Sequence, residues 1–296
     1  MLGVGNLPSN RKVALFGEVM KLGVRGSKLA IAYANKVVHA LQSPNPVDLV
    51  KIKTTADIHE NKAIHEIGGK GVFVSEIEQR LLDKSIDIAV HSFKDLPAEM
   101  NDDLEIIAVL ERNDPRDCYV GKLHPYARVG TGSPRRIAQL KNNFNVEFDI
   151  RPIRGNIDTR LKKLDNNEYD AIILAVAGLE ALQLQKRIQK ILPFDKMLPC
   201  VGQGVIAIQA RKDMPDKDFF IQKLNHLPTY YSVMSERAML QEIDGDCHTA
   251  VGAVSTLVGD CLILEAINYN NNKQWKAMAK RHEHNWLGKE VGKQIK

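Results

Sequence analysis

The sequence has little of what most specialised classes of protein depend on. Its four cysteines are spaced far apart, at 118, 200, 247 and 261, which argues against a disulfide-stabilised secreted fold and favours free thiols in a reducing compartment. No apolar run approaches the roughly 20 residues that a membrane-spanning helix needs. The net charge of +5, from 41 basic and 36 acidic residues without a Lys/Arg block, is too mild for a dedicated nucleic-acid-binding protein. These absences predict an ordinary globular protein of the cytoplasm.

Several ligand-binding motifs are also missing. The glycine-rich GGKG at 68–71 does not match the spacing of a P-loop, and GTGSPRR at 130–136 lacks the third glycine of the dinucleotide fingerprint. There is no CxxC or HExxH, and the adjacent Cys247 and His248 cannot by themselves supply a tetrahedral site. The sequence therefore disfavours a nucleotide cofactor and predicts no metal site.

Two segments of the chain resemble each other. Residues 75–92 and residues 158–178 each have the pattern of an amphipathic helix, a short polar turn and a continuous apolar run. An aspartate, Asp87 or Asp170, opens the apolar run in each copy. A short apolar run after a helix is typical of a buried parallel strand. The two copies predict two α/β domains of similar build.

The remaining pattern continues this division. Further strands are predicted at 104–110, 128–131 and 146–153, and helices at 27–42, 59–66, 134–142, 180–190 and 231–242. After about residue 220 the pattern changes to short antiparallel strands with an Asn-rich turn at 270–272, followed by a closing helix. We therefore expect two α/β domains followed by a small α+β domain that carries Cys247.

Basic residues occur where a loop meets a helix. Ser133 and Pro134 are a favourable N-cap and first helical residue, but the next two residues are Arg135 and Arg136. The first turn of a helix favours acids, because that end of the helix dipole is positive. Two cations beside free backbone N–H groups indicate an anion site; two solvated surface arginines are the alternative.

The same arrangement is found at three other junctions. Arg25 precedes Ser27, Arg154 and Arg160 lie on either side of a helix start, and Lys70 lies in a glycine-rich turn. Four basic junctions predict a cleft that binds several anionic groups. Arginine predominates, which suits planar carboxylates held by two hydrogen bonds, and phosphate is the competing anion.

An acidic residue follows the strand of the first copy. In VHSFKDLPAE, residues 90–99, an apolar strand ends and Lys94 and Asp95 come directly after it. Functional residues of open α/β sheets collect beyond the carboxyl ends of strands. Asp95 is predicted to face a cation that develops during a reaction, and a turn stabilised before Pro97 is the alternative.

Taken together, the motifs resemble one family. VRGSKLA, GGKGVFVSEIE, DIAVHSFKDLP, RNDPRDCYV, GTGSPRR, RGNIDTRL, AIILAVAGL, LPCVGQGV and DGDCHTAVGA run in this order from about Arg25 to Gly252. Each motif is weak alone, but their order and spacing are similar to those of the porphobilinogen deaminases, also called hydroxymethylbilane synthases, of the tetrapyrrole pathway.

The resemblance implies a three-domain α/β fold. Two periplasmic-binding-protein-like α/β domains are expected to face a cleft, with a small α+β domain at the C-terminal end. The expected division is an N-terminal extension at 1–20, a first α/β domain at 21–112 plus 203–222, a second at 113–202, and the α+β domain at 223–296.

The resemblance also implies an activity and a cofactor. The enzyme, a transferase, joins four porphobilinogen molecules head to tail into hydroxymethylbilane and releases ammonia at each step. A dipyrromethane built from two substrate molecules is expected to be attached covalently to Cys247 through a thioether. The expected partners are the small-molecule substrate and uroporphyrinogen-III synthase as receiver of the product, with no nucleic acid and no membrane. The chain is expected to be a cytoplasmic monomer.

Matched family positions imply roles for single residues. Asp95 matches the catalytic aspartate, which stabilises cationic pyrrole and azafulvene intermediates and has proton transfer as a second role. The residues expected to bind carboxylates of the substrate and cofactor are Arg25, Ser27, Lys70, Lys94, Thr131, Ser133, Arg135, Arg136, Arg154 and Arg160.

Five positions depart from the family pattern. Ser75 stands where a lysine is common, Ala181 where many members have an arginine, and Gln209 where an acid is common. Asp246 and Ala250 replace a glycine and a proline in the cysteine loop. We expect differences in individual carboxylate contacts and in the conformation of that loop, with the activity retained.

Two other functions share part of the pattern. A non-enzymatic anion-binding protein with the same two α/β domains needs the arginine cleft but neither Asp95 nor a tethered thiol. An enzyme acting on phosphorylated sugars, with Lys94 and Asp95 as its acid–base pair, leaves Cys247 unexplained. Organelle targeting by residues 1–20 and a mobile lid at 59–70 also stay open as alternatives.

Overall fold

The computed structural model describes residues 19–43, 45–58, 73–246 and 249–296. The strands are β1 Met20–Arg25, β2 Val47–Ile52, β3 Ile88–Ser92, β4 Leu104–Val109, β5 Asp117–Gly121, β6 Arg128–Gly130, β7 Asp149–Arg151, β8 Ala171–Ala175, β9 Lys190–Ile191, β10 Ile206–Arg211, β11 Val251–Val258, β12 Cys261–Asn268 and β13 Lys273–Lys280. The helices are α1 Lys28–Leu41, α2 Thr55–Ile58, α3 Ser75–Leu82, α4 Pro134–Asn142, α5 Ile157–Asp165, α6 Val176–Ala181, α7 Lys217–Leu224, α8 Leu227–Glu242 and α9 His284–Ile295.

The first sheet has the strand order β2-β1-β3-β10-β4. β1 pairs in parallel with β2 and β3, whereas β10 is antiparallel to both β3 and β4. Its strands carry continuous apolar runs because both faces are covered, and Leu22, Ile88, Ile208 and Phe220 are completely buried in its core. The chain therefore returns to this sheet through β10 after it has built the second one.

The second sheet has the order β7-β6-β8-β5-β9. β6 is parallel to β7 and β8, and β5 is antiparallel to β8. The third sheet, β11-β12-β13, is an antiparallel meander. Helices α8 and α9 cover it, with Met239, Leu264 and Leu287 completely buried between helices and strands.

These sheets confirm the predicted α/β class, with two α/β units and a small antiparallel unit packed with helices. Sheet membership follows the expected division of the chain, since β10 and α7 belong with the first sheet. The domain boundaries themselves stay a prediction. Residues 1–18, the helix predicted at 59–66 and the lid at 59–70 lie outside the described residues.

The two similar segments form the same local structure. In each, a helix (α3 or α5) ends two residues before a residue with positive φ, Lys84 at 61° or Asn167 at 58°, and a buried strand comes next. The aspartate that opens the strand accepts a hydrogen bond from the first residues of a neighbouring strand. Asp87 Oδ2 lies 2.7 Å from Lys21 N, and Asp170 Oδ2 lies 2.8 Å from Arg128 N. The predicted internal similarity is confirmed at this level.

Three element predictions differ from the structure, and one of them, the helix predicted at 231–242, begins earlier, as α8 at Leu227. The strand predicted at 146–153 is shorter, Asp149–Arg151. The helix predicted at 180–190 is wrong, because α6 ends at Ala181 and Gln183 adopts a positive φ of 58°. The chain then joins the edge of the second sheet as β9, where Gln189 N donates to Tyr119 O. The apolar residues of this segment therefore pack at the edge of the second sheet rather than on one face of a helix.

Candidate functional site

A cavity of about 400 Å³ lies between the two α/β units and is closed on one side by α8 and the start of β11. Nine of the predicted site residues line it: Arg25, Ser27, Lys94, Asp95, Ser133, Arg135, Arg136, Arg154 and Arg160. Two others, Lys70 and Cys247, lie outside the described residues. Asp246 and Thr249, which flank the cysteine loop, are both in the lining.

Asp95 is presented by the chain that leaves β3. Residues Phe93–Asp95 form a single 3₁₀ turn, whose buried Phe93 ring packs against Gly202. Gly202 has a φ of +70°, and a Cβ there would lie 2.3 Å from the Phe93 ring. Lys94 and Asp95 remain partly exposed at the cavity, and within the described part of the chain the Asp95 carboxylate accepts no hydrogen bond.

Tyr33 of α1 shares this side of the cavity. Burial raises the pKa of Tyr33, and the negative charges of Asp95 and Glu180 raise it further. The phenol therefore stays protonated at neutral pH. Tyr33 is thus a neutral hydroxyl in the same cavity lining as Asp95.

The paired arginines of α4 converge on one buried carboxylate. Arg135 lies 2.8 Å from Asp117 Oδ2 and Arg136 lies 2.6 Å from Asp117 Oδ1, and Asp117 has no exposed surface. Burial alone would raise the pKa of Asp117, but the charges and hydrogen bonds of the two arginines hold it well below its usual range. Gln203 adds a third hydrogen bond, from Nε2 to Asp117 Oδ1 at 2.9 Å.

These arginines are therefore not the two solvated surface cations that the sequence left as an alternative. Arg135 is 3% exposed and Arg136 is 7% exposed. The Nε atom of each is buried without a hydrogen-bond partner among the described residues. Two cations share one anion, so a net positive charge remains at the cavity wall.

Arg154 and Arg160 add further positive charge on the same side. Arg160 Nε donates to Gly155 O at 2.8 Å, which holds the guanidinium against the loop that precedes α5. Burial lowers the pKa of Arg160 to about 10, and repulsion from Arg136 and Arg154 contributes. Burial is the larger cause, and the two neighbouring charges show that this desolvated guanidinium lies near other cations. This is the electrostatic pattern of an anion-binding wall.

Arg25 lies on the opposite side of the cavity and is already paired. Its guanidinium lies 2.5 Å from Asp57 Oδ1 and 4.9 Å from the centre of the Phe73 ring. Burial would raise the pKa of Asp57, but hydrogen bonds from Arg25 and Thr54 lower it. Arg25 is therefore held in place at the cavity rather than free.

The predicted hydroxyl donors shape loops. Ser27 Oγ accepts from Ala30 N at 3.2 Å and Ser133 Oγ accepts from Arg136 N at 3.5 Å, so each caps a helix as its sequence context predicts. Thr131 is 1% exposed, is not part of the cavity lining, and its hydroxyl accepts from Ser133 N at 3.2 Å. Substrate contact by these three hydroxyls stays a prediction.

Sequence reasoning missed Asp117 and Arg237. Asp117 lies in the motif RNDPRDCYV, where an acid at the start of an apolar strand was the available signal. Arg237 comes from α8, reaches the cavity, and donates to Pro97 O at 2.6 Å. Its guanidinium lies 5.8 Å from the centre of the Phe93 ring. Arg237 therefore bonds to the chain just after Asp95 and lies near the Phe93 ring just before it.

Two other kinds of site are not found in the described residues. No group of three or more His, Cys, Asp or Glu side chains there is placed to hold a metal ion. None of the helices described has the length and apolar character needed to span a membrane.

Comparison with solved structures gives distant similarities. A TRAP periplasmic solute binding protein from Ralstonia eutropha with bound (S)-2-acetolactate matches with a TM-score of 0.40 and 12% identity, over 70% of this chain and 76% of that one. The periplasmic ectoine-binding protein from Halomonas elongata matches with a TM-score of 0.39 and 9% identity, over 69% and 75%. Similarity at this level supports no statement about function.

Comparison of sequences gives much stronger matches. Porphobilinogen deaminase from Rickettsia bellii is 42% identical over 247 residues, which is 80% of this chain and 82% of the relative. The protein of the same name from Syntrophomonas wolfei is 42% identical over 258 residues, 84% of each chain. Residues 20–218 match the model of the porphobilinogen deaminase dipyrromethane cofactor-binding domain, and residues 230–296 match the model of the porphobilinogen deaminase C-terminal domain. The chain therefore belongs to the porphobilinogen deaminase family.

Proposed function

We propose that this chain condenses four porphobilinogen molecules head to tail into hydroxymethylbilane and releases one ammonia at each step. The observation that carries the proposal is a single cavity with the Asp95 carboxylate on one wall and crowded arginines on the other. Each porphobilinogen brings an acetate and a propionate, so an arginine-rich wall suits the substrate. The family assignment favours this function over an anion-binding protein or a sugar-phosphate enzyme.

The cavity residues fit a dipyrromethane, which carries four carboxylates. Buried Nε atoms of Arg135 and Arg136 lack partners among the described residues, and Arg160 is crowded by like charges. We assign Arg135, Arg136, Arg154 and Arg160 to holding its carboxylates, with Cys247 as the covalent attachment point. When bound, this group supplies the nucleophilic pyrrole carbon that primes chain growth.

Arginine suits this task for two physical reasons. Its planar guanidinium forms paired hydrogen bonds to a carboxylate, and it stays charged throughout the neutral range. Because Asp117 already fixes Arg135 and Arg136, little side-chain freedom is lost when an acidic ring binds. Lys94, Arg25 and Lys70, the last of them outside the described residues, are assigned to carboxylates on the opposite wall.

Asp95 is assigned to the reacting centre. A carboxylate that accepts no hydrogen bond from the described protein groups is available to the pyrrole N–H of a substrate. Its negative charge stabilises the cation that forms when ammonia leaves, and this stabilisation is strong inside a partly buried cavity. Proton transfer at the same carboxylate is its second assigned role.

Finer assignments accompany this function. We assign the chain to the transferases, place it in the cytoplasm as a monomer, and expect uroporphyrinogen-III synthase to receive its linear product. Size-exclusion chromatography with light scattering tests the monomer, since a dimer would have twice the 33.1 kDa chain mass.

Intact mass spectrometry tests the cofactor assignment. Purified protein should carry an excess mass of two pyrrole rings, and Cys247→Ser should carry none. Ehrlich's reagent should colour the wild type and leave Cys247→Ser uncoloured, while Cys261→Ser, at the start of β12, serves as the thiol control. Unmodified wild-type protein that consumes porphobilinogen at full rate would contradict the assignment of Cys247.

A further inference from the structure

Helix α8 binds the backbone of the segment that follows Asp95. Arg237 donates from Nη2 to Pro97 O at 2.6 Å, and Gln241 donates from Nε2 to Ala98 O at 2.7 Å. The two side chains are four residues apart, so they lie on the same face of the helix, one turn from each other. Two consecutive carbonyls of the first α/β unit are therefore held by the helix that covers the third sheet.

The apolar side chains of the same segment also pack against this helix. Phe93 and Leu96 lie in a buried cluster that includes Val233 of α8. Ala98 lies in the core formed by the third sheet and its helices. The Arg237 guanidinium lies 5.8 Å from the centre of the Phe93 ring. The segment is thus in contact with α8 through both its backbone and its side chains.

Arg237 is a charged donor in a buried place. It is 4% exposed and forms part of the cavity lining. Burial lowers the pKa of Arg237 to about 10, and the charge of Glu78 acts to raise it. The guanidinium therefore stays protonated at neutral pH, and a hydrogen bond from a charged donor is stronger than one from a neutral donor.

Asp95 lies between the residues that α8 contacts. It ends the turn Phe93–Asp95, and Pro97 follows two residues later. Among the residues that the structure describes, none donates a hydrogen bond to the Asp95 carboxylate. The place of this carboxylate in the cavity therefore depends on how the backbone before and after it is held.

The same end of α8 leads into the loop that carries Cys247. Asp244 N donates to Gln241 O at 3.0 Å, and Gly245 N donates to Leu240 O at 2.9 Å. With Asp244 at a positive φ of 53°, these two bonds form a Schellman motif, which gives the chain a defined conformation where it leaves the helix. Cys247 itself lies outside the described residues, two positions beyond Gly245 in the sequence.

We propose that Arg237 and Gln241 are positioning residues, which hold the Asp95 carboxylate in place relative to the group attached at Cys247. The inference rests on the proposed deaminase function, in which the acid and the attached group have to meet at one reacting carbon. Because α8 contacts the segment of the acid and leads to the thiol, its last two turns set their separation. A misplacement of about 1 Å at a reacting centre can cost about a hundredfold in rate.

Arg237→Gln is the first test, read as kcat and KM for porphobilinogen consumption. Loss of the charged donor to Pro97 O should lower kcat about tenfold or more, because Asp95 is no longer held in place. KM should change less than about threefold, since the arginines of α4 and α5 are untouched. Arg237→Lys keeps a charged donor, so its kcat should return to within about threefold of wild type.

Gln241→Leu tests the second contact at a side chain that is not part of the core. Gln241 is an exposed residue, so this variant should fold, and its kcat should fall about threefold to tenfold with KM unchanged. Gln294→Leu is the matched control. Gln294 is an exposed glutamine of α9, and its Nε2 donates to Glu290 Oε1 on the same helix at 3.1 Å. Its kcat should equal that of wild type.

Hydrogen–deuterium exchange tests the same contacts without activity and without the attached group. In a Cys247→Ser background, Arg237→Gln and Gln241→Leu should speed amide exchange in a peptide covering residues 93–100, because the segment has lost a contact with α8. Gln294→Leu should leave that peptide unchanged. Equal exchange in all four proteins would contradict the inference.

The other outcomes are also distinguishable. Wild type without deaminase activity would defeat the proposed function itself. An active wild type whose folded Arg237→Gln variant shows a raised KM and an unchanged kcat would overturn only the positioning inference, because Arg237 would then bind a substrate carboxylate directly. Should Arg237→Gln fail to fold, Gln241→Leu decides: the expected loss of kcat supports the inference, and a wild-type kcat contradicts it.

Discussion

The two helix–turn–strand copies share a scaffold but differ in the segment that the strand leads into. After β3 the chain makes a 3₁₀ turn and presents Lys94 and Asp95 to the cavity. After β8 the chain enters α6 at once, and residues 176–179 of that helix are buried. The same local architecture therefore delivers a charged turn in one domain and a packed apolar helix in the other.

On the proposed function, the difference divides the chemistry between the two α/β units. The first contributes the acid together with Arg25 and Lys94, and the second contributes a larger group of cations near the starts of α4 and α5. The acid is left without protein hydrogen bonds among the described residues, whereas two of the arginines are locked by Asp117. A reacting group needs to be available, and a binding group gains from being fixed beforehand.

The largest expected effect comes from neutralising the acid of the first copy. Asp95→Asn keeps the shape but removes the charge, so kcat should fall at least about a hundredfold, as for loss of one preorganised electrostatic group. Glu180→Gln, at the helix of the second copy, is the matched control and should keep kcat within about twofold. A rate assay of porphobilinogen consumption measures both, and equal losses in the two variants would contradict the division of chemistry.

The second prediction concerns Asp117, the buried carboxylate that pairs with Arg135 and Arg136. Asp117→Asn leaves two buried arginines without their carboxylate, which should lower the free energy of unfolding by about 3–5 kcal/mol. The control is Asp165→Asn, which breaks an exposed pair with Arg187 and should cost about 1 kcal/mol or less. Urea denaturation measures both.

The pH dependence of that loss has a defined sign. The folded-state pKa of Asp117 lies below its unfolded value, so its stabilising contribution is present above the unfolded pKa and disappears as pH falls through the folded one. The difference in free energy of unfolding between wild type and Asp117→Asn should therefore become smaller as pH falls. A difference in free energy of unfolding that grows on acidification would contradict the stabilising role of the Asp117 carboxylate.

The features of the fold that were predicted correctly are those that local sequence patterns determine. Helices α1 and α4 begin after Ser27 and Ser133 because each serine caps its first turn, and β4 forms where an apolar run lies between turns. The residues that line the cavity could be proposed because strand ends and helix starts gather at one edge. These features depend on neighbours within a few residues.

What the sequence did not reveal depends on distant contacts. Asp117 pairs with Arg135 and Arg136, which lie 18 and 19 residues away in the sequence. No pattern in the sequence around Asp117 indicates that it would neutralise part of their charge. Arg237 contacts Pro97 across 140 residues, from a helix buried on most sides. The helix expected at 180–190 failed because pairing of β9 with β5 overrode its apolar spacing.

A smaller effect is expected where the two copies are most alike. Asp170 is paired with Arg128 at 2.7 Å, and its pKa is lowered by hydrogen bonds from Arg128, whereas Asp87 bonds to the backbone of Lys21. Asp170→Asn should therefore destabilise the protein more than Asp87→Asn in urea at neutral pH. The two variants should become equally destabilised relative to wild type as pH falls through the lowered pKa of Asp170. Equal losses at neutral pH would show that only the shared backbone hydrogen bond matters.

The smallest expected effect tests the apolar end of the second copy. Ala181 ends α6, which comes directly after β8, and the family resemblance leads us to expect an arginine at this position. Ala181→Arg places a long cation next to Leu182, which lines a cavity that already holds several arginines, so overall kcat should change less than about threefold. The distribution of enzyme-bound chain lengths should shift instead, because an extra cation holds acidic intermediates longer. Separation of the intermediates by native gel or mass spectrometry measures this, with Ala181→Met as the control for size. Identical populations in all three proteins would mean that the second copy contributes packing alone at this position.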